Sequence, residues 1–136
     1  MIRKIRIPVQ KRSIEKRKKI IDAALKLFNT KGYFNTSMAE IAKESDLAIG
    51  SIYAYFKDKK DIFLDLVNLY GTTIYNHIIE ELSKIKDTND LDLMIKTTIN
   101  IILQSHKIFP EFHKEMMTLC SMDNEIKYLE IGRAHV

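Results

Sequence analysis

Apolar residues return at helical intervals along almost the whole chain. Ile20, Ile21, Ala24, Leu27 and Phe28 form an i, i+1, i+4, i+7, i+8 series, the stripe of an amphipathic helix. The spacing predicts a first helix from about Ser13 or Ile14 to Thr30, stopped at Lys31-Gly32, where glycine suits a left-handed cap. Tyr33 and Phe34 are expected to lock the following corner. Met38, Ile41 and Ala42 then repeat at helical spacing, with Glu40, Lys43 and Glu44 on the other side. Ser37 and Glu40 make the S-x-x-E capping box that marks this second helix's start. Ser45-Asp46 ends it, because Asp tolerates left-handed backbone, and Leu47 can plug the angle. A third helix, from about Ala48 to Tyr55, turns Ile52 and Phe56 inward and leaves Ile49, Gly50, Ser51, Tyr53 and Ala54 largely outward. An outward face this small and uncharged can enter a DNA major groove.

Past Phe56 the pattern restarts. Asp58 is placed as a cap with Asp61 in the box position, and a long helix is expected to about Lys86. Its apolar residues, from Ile62 and Phe63 to Leu82 and Ile85, spread over more than one face, as suits a connecting helix. Asp87-Thr88-Asn89-Asp90 reads as a linker. Leu91, Ile95, Thr98, Ile99 and Ile102 stripe a helix over Leu91 to Lys107, and Phe109-Pro110 breaks it. Phe112, Met116, Met117 and Leu119 mark a further short helix, and Asp123 opens a last one. With four Gly, two Pro and few strand-like alternations in 136 residues, the chain reads as all-α. The expected architecture is a three-helix, homeodomain-like helix-turn-helix domain, a long connecting helix and a partial helical regulatory bundle.

Charge sharpens this division. Residues 1–60 hold fifteen Lys/Arg against six Asp/Glu, which is +9, while residues 61–136 hold seven against twelve, which is −5. The basic part suits a polyanion, because neutralising phosphates releases counterions, although solvated surface charge is the plainer reading of such a run. In residues 1–13, Arg3, Lys4, Arg6, Lys11 and Arg12 alternate with apolar residues, and Pro8 argues against a continuous helix. A basic flexible arm is expected there, lying on phosphates or reaching a minor groove, with a merely solubilising tail as the alternative. Cys120 is the single cysteine, so no disulfide can form within the chain, and a reducing, cytoplasmic setting fits. No segment approaches a membrane span. Neither a Gly-rich phosphate loop, a His/Glu helix motif nor a nucleophile setting for Cys120 appears, so no enzyme activity and no cofactor are expected.

Two stretches carry a family resemblance. GSIYAYFKDKKDIF is similar to the end of the recognition helix and the start of the next helix in TetR-type transcriptional regulators. ALKLFNTKGYFNTSMAEIA resembles the same family's first two helices, so the likeness covers roughly Ile20 to Leu66. Ala48 and Ile49 stand where the family often has a Ser cap and a Lys, and Asp46 replaces its usual turn Gly, so the departures fall on base reading more than on fold. The resemblance implies a helix-turn-helix domain over residues 14–57 and a ligand-binding and dimerisation region, incomplete, over residues 58–130. It also implies a repressor that binds a palindromic operator in double-stranded DNA as a homodimer and is released by a small-molecule effector. It places Ile49, Gly50 and Tyr53 at base edges and Thr36, Ser37, Ser51, Tyr55 and Lys59 at phosphates. Ordinary packing is the competing role for Tyr53 and Tyr55. With Ile49 offering only apolar contact, direct readout is expected to be sparse and salt dependence strong.

Met94, Thr98, Ile102, Phe112, Met116 and Met117 are the candidate effector-pocket residues, although plain core packing is the commoner role for such side chains. His106 and His113, near Glu111 and Glu115, lack i, i+4 metal spacing and are expected to be solvated polar groups, with no metal site. Ile131 to Val136, IGRAHV, matches the translation of a common sequencing-library adapter; read-through is the expectation and an authentic six-residue end the alternative. Against the regulator stands a second reading, a truncated, non-dimerising fragment or protein-interaction module without operator binding.

Overall fold

A computed structural model describes the backbone of residues 2–122 and the side chains of residues 10–122. The expected helix from Asp123 and the segment 131–136 lie outside the described residues. The described residues form α1 (Ile2–Lys31), α2 (Met38–Ser45), α3 (Ile49–Tyr55), α4 (Lys59–Ser83), α5 (Leu91–Ile108) and α6 (Pro110–Met122), with no strand among them. The all-α expectation holds. Two compact units divide the chain, Met1–Leu66 and Val67–Val136, and α4 contributes residues to each.

α1 departs from expectation. It begins at Ile2, so the segment expected as a flexible arm continues the helix through Pro8. A single proline removes one ladder bond and crowds the preceding turn, a local cost that does not by itself end a helix. At its other end α1 stops as expected, with Gly32 at φ 88° and its N–H donating to the Phe28 carbonyl at 3.1 Å. Only glycine adopts that backbone without crowding a Cβ.

The first unit is built on the predicted stripe. Ile20, Ala24 and Phe28 of α1, Ile41 of α2, Ile52 of α3 and Ile62 and Phe63 of α4 are all fully buried. Rings dominate the joint: Phe28 lies 5.4 Å from Tyr33 and 5.8 Å from Phe63, and Tyr33 meets Phe63 edge-on at 5.1 Å. Edge-to-face pairs of this kind add to the area they bury. α4 is started by two bonds, Asp58 Oδ1 accepting the Asp61 N–H at 2.8 Å and Asp61 Oδ2 accepting the N–H of Lys57, one residue before the cap, at 2.9 Å.

In the second unit α4 ends at Ser83, a turn earlier than its pattern suggests, and Asp90 caps α5 by accepting the Leu93 N–H at 3.0 Å. Pro110 opens α6, where its missing N–H costs nothing. Tyr70 ties α4 to both later helices. Its hydroxyl donates to the Ser105 carbonyl at 2.8 Å and meets His113 Nε2 at 2.5 Å, so His113 Nε2 must carry the proton in that arrangement. His113 Nδ1 is then a buried acceptor without a hydrogen-bond partner. The expectation that His113 is solvated fails: it is 6% exposed, with His106 stacked on it at 4.2 Å. Among the described residues, no helix is long and apolar enough to cross a membrane.

Burial, and secondly the neighbouring His106, holds the His113 pKa below its ordinary value of 6.5. The unfolded chain therefore binds more protons below about pH 6.5 than the folded chain does, and stability falls as pH drops through that range. Thermal melts from pH 7.5 to 5.5 should show this loss, and His113→Phe should flatten it. Parallel pH profiles for both proteins would contradict it.

Candidate nucleic-acid interface

α2 and α3 present the expected face, and their turn is made by backbone bonds rather than glycine. Ser37 Oγ accepts the Glu40 N–H at 3.1 Å while Glu40 Oε2 accepts the Ser37 N–H at 3.0 Å, completing the capping box. At the far end Asp46 adopts φ 57°, ψ 40°, with its N–H on the Lys43 carbonyl at 3.2 Å and the Leu47 N–H on the Ala42 carbonyl at 3.0 Å. That pair of bonds is a Schellman closure. α3 follows without a side-chain cap, since Ala48 has none to offer.

The outward residues of α3 are largely where the pattern places them. Ile49 is 46% and Tyr53 52% exposed, and four residues apart they share one face. Gly50 is exposed with nothing within 4 Å of an added Cβ, whereas Ser51 and Tyr55 are half-buried. The sequence IGSIYAY carries no charge, so α3 offers apolar contact and hydroxyls but no bidentate donor to a base edge. Ser37 is exposed at the start of α2, its hydroxyl accepting the cap bond.

Two expected phosphate residues are occupied elsewhere. Thr36 is 3% exposed and its hydroxyl donates to the Gly32 carbonyl at 2.8 Å, so it closes the α1–α2 corner instead of facing a ligand. This i, i+4 hydroxyl-to-carbonyl bond satisfies an acceptor in the turn after α1, which the residue's position beside Ser37 conceals in the sequence. Lys59 Nζ donates to the Tyr33 carbonyl at 2.7 Å and lies 4.2 Å from the Tyr33 ring centroid. No local sequence signal points to that contact across 26 residues.

Three basic side chains of the unit are also paired with carboxylates. Lys26 meets Glu44 and Lys31 meets Glu40, each at 2.5 Å, and Arg17 meets Asp65 at 2.7 Å while lying over the Phe56 ring at 4.7 Å. Lys31, followed by the Ser37 backbone bond, holds the Glu40 carboxyl below its ordinary range. Exposed pairs of this type contribute little stability, but they subtract cations from the field a polyanion meets.

The expected effector residues do not converge. Met94 and Thr98 line an open apolar groove of about 340 Å³ with Leu82, Leu91, Ile95 and Ile99. Ile102 lies on the same side of α5 but a turn further along its axis, where it is 39% exposed and outside the groove. Phe112 is fully buried beside Tyr70, Met116 is half-buried, and Met117 is 62% exposed. Thr98 Oγ1 donates to its own helix at Met94, so the groove's single hydroxyl is already engaged.

Comparison with known proteins bears on the family and the fold. Residues 20–66 match the family of bacterial regulatory proteins described as the tetR family. The chain is 45% identical over 65 residues to the uncharacterised HTH-type transcriptional regulator YuxN of Bacillus subtilis, covering 48% of this chain and 22% of that protein. It is 34% identical over 97 residues to the HTH-type transcriptional regulator SAB2452 of Staphylococcus aureus, covering 71% of this chain and 50% of the relative. The chain thus spans about a quarter to a half of the curated relatives it matches. Among solved structures, a TetR-family transcriptional regulator from Syntrophomonas wolfei superposes with a TM-score of 0.68 at 28% identity, covering 83% of this chain and 57% of that one. Another from Mesorhizobium loti gives 0.74 at 20% identity, covering 88% and 61%, a likeness of fold.

Asp46 marks a place where the reader can be improved. Asp46→Gly should raise the unfolding free energy by about 0.5–1 kcal/mol in urea titration, since glycine takes the left-handed conformation without a Cβ contact. A destabilised variant would mean that the Asp46 side chain contributes more than its backbone costs.

Proposed function

Residues 20–66 make this chain a member of the tetR family of bacterial regulatory proteins, and from that premise we propose that it binds double-stranded DNA as a transcriptional regulator. The observation that carries this reading is the uncharged face of α3, with Ile49 and Tyr53 exposed on one side and Ser37 exposed at the start of α2. Ile49, Gly50 and Tyr53 meet base edges, Ile49 through a thymine methyl, while Ser37, Ser51 and Tyr55 meet phosphates. DNA shape supplies a considerable share of specificity, because so few side chains here can read a base by hydrogen bonds.

In its finer form the reading is a repressor that acts as a homodimer on a palindromic operator, with half-sites about 34 Å apart or a multiple of that. A small apolar effector seated in the groove of Met94, Thr98 and their neighbours shifts the balance between arrangements and releases the DNA. A second reading draws support from the exposed apolar residues of α5. Leu91 is 67%, Ile95 57%, Ile99 51% and Leu103 57% exposed, which suits a fragment or interaction module awaiting a partner.

Selection of duplexes from a randomised pool by the full chain separates the two. The regulator reading predicts enrichment of an inverted repeat, and Tyr53→Ala should weaken binding to the winning duplex about tenfold, the equivalent of one lost contact of about 1.4 kcal/mol. No enrichment over the input pool, with a monomer on gel filtration, would favour the fragment.

A further inference from the structure

Lys59 stands at the joint between the two ends of the two-helix reader. The segment Gly32–Ser37 leads into α2, and the segment Phe56–Asp58 leads out of α3 into α4. Lys59 is the first residue of α4, and its ammonium reaches back to the entering segment. Three observations fix it there. Its Nζ donates to the Tyr33 carbonyl at 2.7 Å, in a partly buried setting. The same Nζ lies 4.2 Å from the centroid of the Tyr33 ring, within cation–π range. The Tyr33 carbonyl also accepts the Thr36 N–H at 3.3 Å, so one oxygen gathers the turn before α2 and the first residue of α4. The backbone under Lys59 is itself held, because Asp58 and Asp61 cap α4 on either side of it.

We infer that Lys59 is a positioning residue, which sets the angle of α2 and α3 by tying their entry to their exit through Tyr33, rather than a contact to a DNA phosphate. The carbonyl bond uses one of the three ammonium N–H groups, and losing it together with the ring contact would loosen the corner that aims α3. The inference rests on the proposed DNA-binding reading for its consequence, and on the Tyr33 geometry alone for the joint.

The test uses the full chain, Lys59→Met and Lys59→Arg, with two readouts: thermal melting, and affinity for a random-sequence duplex across a salt series. A positioning role predicts that Lys59→Met lowers the melting temperature by about 5 °C and leaves the slope of log affinity against log salt unchanged. Lys59→Arg keeps the charge and tests the joint even where the Met variant does not fold. Its planar fork replaces a compact ammonium beside the Tyr33 carbonyl and ring, so its melting temperature also falls below the wild type, again at unchanged slope. Loss of about 0.9 from the salt slope in Lys59→Met marks a phosphate contact and overturns the inference. Wild-type melting temperatures in both variants overturn it equally. Failure of the wild-type chain to bind duplex at low salt removes the DNA-binding reading, while the melting temperatures still decide whether Lys59 holds the joint.

Discussion

Everything the first unit presents outward depends on how Tyr33 is held. Its ring packs between Phe28 of α1 and Phe63 of α4, its carbonyl accepts from Thr36 and Lys59, and Gly32 before it supplies the left-handed step that brings the chain round. α2 and α3 are 8 and 7 residues long, too short to be stable as isolated helices, so their direction comes from packing. Ile41 and Ile52 supply the inward anchors and the aromatic joint supplies the frame.

The same unit shows why net charge is a poor guide to a binding surface. The surplus of +9 over residues 1–60 already counts Glu40 and Glu44, but it is unevenly placed: Lys26, Lys31 and Arg17 sit beside carboxylates and the half-buried Lys59 beside the Tyr33 carbonyl. α3 itself is neutral. The proposed recognition thus divides into a neutral reading face and cations set around it, an arrangement in which attraction and discrimination come from different residues.

Legibility from sequence followed the range of the interactions. The capping box at Ser37 and Glu40, the Asp46 turn, the Asp58 and Asp61 helix start and the buried stripe of α1 all depend on residues within one or two turns, and each is present as read. Contacts across many residues escaped. Lys59 looks like a phosphate residue locally, and only the fold shows its ammonium engaged with the Tyr33 carbonyl, 26 residues away in sequence. Thr36 is an exception to range, because its bond to the Gly32 carbonyl is only i, i+4 and no capping pattern marks it. His113 looks solvated on its own helix, and Tyr70 of α4 with His106 of α5 covers it. The start of α1 differs for another reason: Pro8 reads as a terminator, yet it removes only one ladder bond and the helix runs through it. The candidate effector residues share composition rather than place: Met94 and Thr98 line the groove, Ile102 lies a turn beyond it, and Phe112 is buried in α6.

The most direct measurement is an amide NMR titration of the full chain with a duplex. The account predicts that the largest shifts fall on Ser37 and on Ile49–Tyr55, with Thr36 and Lys59 moving less and α5 unmoved. Shifts concentrated on the exposed apolar residues of α5, or none at all in α3, would contradict the claim that α3 is the reading face.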